Sequence, residues 1–477
     1  MVFNSLVFLF FFASFYLLYW FVFNKNFKQQ NMILLIGSYF FYGWADWRFL
    51  SFLILISVFY FVLGIYLEKS IKYKKHLLYI GLIFGIGILG FFKYYNFFIS
   101  SFNDLFNSFN LNLSLKTLTI IVPLGISFLT FRLISYIIDV SNQKINSTKD
   151  WIVFFNYVSF FPSLLSGPID KASLLVPQLE IKREFVYSKS VDGLRQILWG
   201  LFKKVVIADY LATLTYQIFD NYSSLEGSTL LLGLFLYTFQ IYADFSGYSD
   251  MAIGLARLLG LTTTKNFAFP LFSQNIADFW RKWHISLTSW LTEYVFTPLS
   301  IYFRNYGKIG LILAIVINFT IIGFWHGPSW TYVLFGFLHG CFFIPLILNG
   351  TINKRKALSK DNLLPTLREL KNILSTFTLV TFSFVLFISN SLANAYSYLL
   401  KIFSLSFFSK PEISFVKVIP LILFFLSVEW IGRNGEHALS NLINLKSRLL
   451  RWVFYILIAL SLFISQGKQQ SFIYFQF

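Results

Sequence analysis

An all-α membrane protein that crosses the bilayer many times is the fold class this sequence predicts, and three observations predict it. Of 477 residues, 57% are hydrophobic and only 13% charged, with mean hydropathy +0.66. A soluble domain of this length would need a polar shell that such a composition cannot supply. Apolar runs of roughly 17–25 residues, the length that spans a bilayer, recur along almost the whole chain. The basic residues gather in short loops between those runs, as the positive-inside rule requires. We count about 11–13 hydrophobic segments, some of which need not cross fully.

In chain order, Val2–Phe23 is the first apolar run. It has no basic leader and no small-residue cleavage site, so it reads as a retained span. Lys25 and Lys28 mark the next loop as cytoplasmic, which puts the N-terminus outside and Trp44–Arg48 at the outer surface. Phe49–Leu67 and the slightly short Leu77–Phe92 flank a second cytoplasmic loop carrying Lys69, Lys72, Lys74 and Lys75. Ile121–Val140 has Pro123 and Gly125 near its start and Arg132 and Asp139 further on. Phe160–Lys171 holds two prolines and a glycine, and Tyr242–Gly254 carries Asp244 and Asp250 among small residues. Irregular backbone and ionisable groups at membrane depth are tolerated where protein or a water-filled cavity surrounds them. These three segments therefore predict a polar cavity, although each alone reads equally well as a helix end at the interface. Ile309–Phe324 and Trp452–Ser465 are later runs. Between them, Asn353–Asn372 reads as a basic cytoplasmic connection with a surface helix in its second half, and Gly432–Arg451 as another cytoplasmic loop. No stretch is large and polar enough for a soluble domain, so residues 1–477 read as a single multi-pass domain.

The formal net charge of +18 is explained by those loops, and nucleic acid is not an expected partner. The single cysteine, Cys341, excludes a disulfide within the chain and any cysteine metal site, and no other metal-ligand spacing is visible. No glycine-rich phosphate loop accompanies the acids of Tyr242–Gly254.

Chemistry concentrates in "DFWRKWHISLTSW", Asp278–Trp290. Placed on one helix, Trp280, Trp283, His284 and Leu287 share an apolar face, Asp278 and Lys282 form an i,i+4 pair opposite, and Arg281 lies on the flank. Such a helix lies along the interface or dips into the bundle. A histidine on its apolar face is desolvated and neutral, able to accept a proton or orient a hydroxyl. Taken alone, His284 reads first as a core histidine bonded to a carbonyl. Arg281 and Lys282 are candidates to meet an anionic donor or a lipid phosphate, with snorkelling to headgroups the plainer reading. The second concentration is "NFTIIGFWHGPSWTYVLFGFLHG", Asn318–Gly340. Pro328 restricts the residue before it and restarts helices well, so His326, beside Trp325, should sit at a break between two helices. His339 lies within the second helix, where packing is its first reading and the cavity its second. Three of the five histidines fall in these two segments, and His76 and His437 read as ordinary surface residues of cytoplasmic loops.

These motifs resemble the membrane-bound O-acyltransferases, in particular the alginate O-acetyltransferase type, with teichoic acid D-alanyl transfer proteins as more distant relatives. The resemblance runs through "VPLGISFLTFRLISYIIDV", "FFPSLLSGPI", "YADFSGYSDMAIGLARLLG", "DFWRKWHISLTSWLTEYVFTPL", "GFWHGPSWTYVLFGFLHG" and the terminal "FIYFQF". Its signature core covers about residues 121–345. It implies a helical bundle with interfacial or re-entrant helices around a central cavity. It also implies that His326, in the WHG motif, is catalytic and that His284 is the second signature position. The chain departs from the pattern just downstream, with Thr292–Glu293 where Arg-Asp is common and Ser300–Ile301 where two glycines usually stand. The implied activity is acyl transfer, usually of acetyl, to a hydroxyl of an exported polysaccharide. No cofactor stays bound. The acyl donor is expected to be acetyl-CoA or another acyl thioester, and the partners to be the bilayer, a polysaccharide acceptor and an esterase-like periplasmic acetyltransferase. The implied location is the bacterial inner membrane. Asp244, Asp250 and Trp325 join Arg281, Lys282 and His339 as candidates for the cavity wall. Two other readings compete: acyl transfer to a different acceptor, such as D-alanine to teichoic acid, and a transporter or flippase without catalysis. The latter would more often show two halves with matching broken helices.

Overall fold

The structure is a computed structural model that describes residues 1–111, 114–354, 364–444, 447–465 and 470–473. Among these residues every regular element is helical and no strand occurs. Among the described residues six helices are long and apolar enough to cross a membrane: Arg48–Lys69, Lys74–Ser108, Gly227–Leu258, Arg304–His326, Trp330–Leu348 and Leu367–Ile388. Leu6–Val22 and Val418–Gly432 are apolar but shorter. Six is fewer than the apolar segments counted in the sequence, and the reason is local. Ile126–Ser141 has only 16 residues and is buried along nearly its whole length. The next region breaks into Trp151–Ser159 and the four-residue Phe161–Leu164. Apolar sequence there fills the protein interior. The chain packs as two compact units, Met1–Gly193 with Ala252–Thr264, and Leu194–Met251 with Lys265–Phe477.

In the first unit, the irregular segments are held by the polar residues the sequence singled out. Arg132 is 2% exposed. Its guanidinium donates to the carbonyls of Tyr157 (2.9 Å) and Val158 (3.1 Å) and to the Ser163 hydroxyl (2.8 Å). Those carbonyls lie at a helix end, where intrahelical partners run out. Arg132 thus satisfies the break that Pro162 enforces. Tyr19 and Trp20 likewise donate to the carbonyls of Leu259 and Leu258, each at 3.0 Å.

In the second unit, Gly307–His326 and Trp330–Cys341 form a tight helical hairpin. Its contact is backbone to backbone. A Cβ on Gly323 would collide with the Tyr332 carbonyl, and one on Gly336 with the Phe319 carbonyl. A Cβ on Gly340 would lie 2.7 Å from the Val316 Cα. Gly336 and Gly340 are four apart, the small-xxx-small spacing that lets membrane helices approach closely. This hairpin fixes where His326 ends up.

Three expectations need correcting. Asp278–Trp290 is not one helix but two, Ile276–Lys282 and Ile285–Leu291, broken at Trp283 and His284. The second half of Asn353–Asn372 is not a separate surface helix. From Leu367 it is the start of a 22-residue helix that runs to Ile388, opened by a capping box between Thr366 and Glu369, while residues 355–363 lie outside the described ones. His437 is not a surface residue: it is 3% exposed, because its loop folds back until Gly432 meets the Ala438 backbone. His76 is exposed, as expected.

Candidate active site

The break between Ile276–Lys282 and Ile285–Leu291 gives His284 its position. Its backbone is left-handed, φ 46° and ψ 51°. That conformation is uncommon outside glycine, though histidine is among the residues that tolerate it. Strained residues of this kind persist where their surroundings over-determine them. Here a neighbouring extended segment does so: Ile285 N–H donates to the Asn266 carbonyl (2.8 Å), and Ala268 N–H to the Lys282 carbonyl (3.0 Å). The His284 ring is fully buried. Its Nδ1 lies 3.1 Å from Asn266 Oδ1, and Phe245 meets its edge at 4.7 Å between centroids. Burial, and secondly a charge on His326, holds its pKa well below the usual imidazole range.

His326 is the last residue of its helix, as Pro328 requires. Gly327, before the proline, is fully extended at φ −174° and ψ 163°. Trp325 bridges the two histidines, its ring centroid 5.8 Å from that of His284 and 5.2 Å from that of His326. Phe387 closes the other side of His326 at 5.1 Å. His284, Trp325 and His326 therefore converge from segments that lie about forty residues apart in the sequence.

A cavity of about 590 Å³ is lined by Pro328 and Ser329, which follow His326 in the chain, and by Phe387, whose ring packs on that of His326. Tyr332, Tyr237, Asp220, Asn394, Tyr398 and Ile473 also line it. Aromatic rings with a few hydroxyls and amides are what a site for a polar, ring-containing ligand uses to combine contact area with orientation.

The remaining candidates lie elsewhere. Asp244 and Asp250 sit in an unbroken helix, Gly227–Leu258, and are taken up by ion pairs. The Lys204 Nζ is 2.6 Å from Asp244 and 2.8 Å from Asp209, and the Lys203 Nζ is 2.6 Å from Asp250. Both lysines are presented by a wide π-helical turn, Phe202–Ala208. Glu429 completes this cluster, accepting from Trp199 Nε1 (2.7 Å) and the Tyr242 hydroxyl (2.6 Å). Ile473 N–H donates to Asp244 at 2.8 Å; residues 474–477, the rest of the terminal motif, lie outside the described ones. Lys282 pairs with Asp278 at 2.8 Å, as the i,i+4 spacing predicted. Arg281 donates to the Ile352 carbonyl. His339 accepts from Trp280 Nε1 at Nδ1 (3.0 Å) and meets the Ser383 hydroxyl at Nε2 (2.9 Å), so both of its nitrogens are engaged in packing. Among the described residues no group of three or more His, Cys, Asp or Glu could hold a metal ion.

Sequence reading passed over Asn266, Lys203, Lys204 and Glu429. The last three had a usable signal, because ionisable residues in apolar runs such as "WGLFKKVVIA" and "LFFLSVEWIG" are costly enough to mark a partnered site. Asn266 had none, since a lone asparagine in a polar loop looks like any other.

Two buried histidines near a polar, aromatic cavity have the chemistry to accept a proton or orient a hydroxyl. Comparison with known proteins gives the class directly. The pattern of the membrane-bound O-acyltransferase family matches residues 8–351, and the chain belongs to that family; it is an acyltransferase. It is similar to a probable alginate O-acetylase, AlgI, of Pseudomonas aeruginosa, with 34% identity over 447 residues that cover 91% of this chain and 81% of the relative. It is also similar to a peptidoglycan O-acetyltransferase of Helicobacter pylori, at 35% identity over 71% of this chain and 69% of that one. A teichoic acid D-alanyltransferase of Streptococcus thermophilus is 29% identical over 55% of this chain and 68% of its own length.

Proposed function

We propose that this protein acetylates hydroxyl groups of a bacterial envelope polysaccharide, directly or by passing the acetyl group across the membrane to a periplasmic partner. The observation that carries the reading is the convergence of His284, Trp325 and His326, with Phe387 between His326 and the cavity it lines. The relatives act on alginate and peptidoglycan by name, and the cavity's mixture of tyrosines and amides suits a carbohydrate better than an acyl chain alone.

A sugar hydroxyl is a weak nucleophile at neutral pH. His326 serves as the base, taking the hydroxyl proton as the oxygen bonds to the acetyl carbonyl carbon. The carbon–sulfur bond of the thioester then breaks and the thiolate leaves. A positioned base of this kind contributes roughly 10²–10⁴-fold. His284 orients the hydroxyl, and Trp325 fixes the spacing of the two imidazoles. The donor is acetyl-CoA or another acyl thioester on the cytoplasmic side. The acceptor approaches from the outside, with the N-terminus also outside and the protein in the inner membrane.

The test is the ester-linked acetate that mild base releases from envelope polysaccharides. A deletion strain is complemented with wild type, His326→Ala or His284→Ala at matched protein levels. Acetate restored by wild type and not by His326→Ala supports the reading, and the acetylated fraction names the polymer. Equal acetate in every strain, including the deletion, rejects it.

A further inference from the structure

We infer that Asn266 is a positioning residue that locks His284 in one tautomer, with the proton on Nδ1 and the lone pair on Nε2. The inference rests on the proposed role of His284 and specifies it. Three bonds determine it. Ser286 N–H points at Asn266 Oδ1 (3.4 Å), and the Ser286 hydroxyl lies 3.0 Å from the same atom. A backbone N–H can only donate, so the atom it faces is the amide oxygen and not the amide nitrogen. On its other side, Asn266 Nδ2 donates to the Ser249 hydroxyl at 3.0 Å, which holds the amide in that orientation. An oxygen 3.1 Å from His284 Nδ1 can only accept, so Nδ1 must carry the hydrogen. In the neutral ring the lone pair is then on Nε2.

The consequence is chemical. A neutral His284 cannot donate from Nε2 to a developing oxyanion; it accepts there. It can accept the O–H of a neighbouring hydroxyl of the acceptor sugar and so orient the sugar ring, which leaves the single proton of the reacting hydroxyl to His326. Asn266 is fully buried, and its carbonyl also receives Ile285 N–H, so one residue holds both the strained backbone and the ring of His284. Among the described residues, His326 is the titratable group that acts on the ring. Asp278 and Lys282, on the preceding helix, pair with each other, and Lys265 is directed to the Gly435 carbonyl.

The direct test is the ¹⁵N spectrum of imidazole-labelled protein in detergent, in which five histidines are few enough to assign His284 by its loss in His284→Gln. A protonated Nδ1 with an unprotonated Nε2 is expected, and the opposite tautomer overturns the inference. The acetate assay then separates positioning from packing. Asn266→Leu should lose roughly 10- to 100-fold, by analogy with the loss when hydrogen-bond partners of metal-binding histidines are removed. Asn266→Asp keeps the acceptor oxygen and should retain activity, but its charge raises the His284 pKa and moves the acid limb of the pH profile upward. An unshifted profile in Asn266→Asp overturns the positioning role. So does full activity in Asn266→Leu while His284→Ala is inactive. Full activity in His284→Ala is a different failure, that of the role assigned to His284 itself.

Discussion

His339 and the His284–His326 pair occupy one unit of this protein, are almost completely buried, and yet have different chemistry. His339 is the middle of a closed chain. Trp280 Nε1 donates to its Nδ1, so its proton sits on Nε2 and goes to the Ser383 hydroxyl, which donates to the Val380 carbonyl at 2.6 Å. Every link has a defined donor and acceptor, and nothing is left to offer a substrate. At His284 the Asn266 oxygen fixes Nδ1, and His326 stands at a helix end whose next residues line a cavity. Burial alone does not separate a structural histidine from a reactive one. The direction of the bonds at its two nitrogens does, together with what lies beyond the ring.

The largest break of this contrast is functional. His326→Ala should lower acetyl transfer by about 10²–10⁴-fold with normal folding. His339→Ala should do the reverse: about 1–3 kcal/mol less stable for the unsatisfied Trp280 and Ser383 groups, but near wild-type in activity per folded molecule. Activity assays paired with thermal unfolding in one detergent check both, and loss of chemistry in a fully stable His339→Ala would sink the distinction. Next is the hairpin that places His326. Gly336→Ala forces apart backbones in contact and should cost about 1–3 kcal/mol, read as a lower unfolding temperature.

A smaller effect is the pH dependence of stability. His284 has a depressed pKa in the folded protein, so below about pH 6.5 the unfolded chain binds a proton that the fold refuses. Stability from this group is complete above that pH and falls by up to about 1.4 kcal/mol per unit as the pH drops toward the folded pKa. His284→Gln should flatten that slope, and unfolding midpoints compared between about pH 7.5 and 5.5 would reveal it. The smallest effect belongs to the partly exposed Asp278–Lys282 pair. Asp278→Asn should shift stability through that ion pair by no more than about 0.5 kcal/mol and leave transfer unchanged.

Composition and run length made the multi-pass helical class legible, because bilayer thickness imposes a length on each span that no tertiary contact can relax. The break at His326 was legible too: a proline two residues on dictates it locally. So was the Asp278–Lys282 pair, set by helical spacing alone. The unbroken helix assumed through His284 was not correct. Nothing within Asp278–Trp290 signals the break, which depends on hydrogen bonds from Asn266 and Ala268, residues outside that stretch. The fate of Asp244 and Asp250 was also hidden, since their lysines lie some forty to fifty positions away on a π-helical turn. Sequence by itself determined what short-range physics controls: which runs are apolar enough to span, where proline ends a helix, which charges lie one turn apart. Only the tertiary structure decided which histidines meet and which nitrogen of each is committed, because those outcomes belong to hydrogen-bond partners that distant segments bring together.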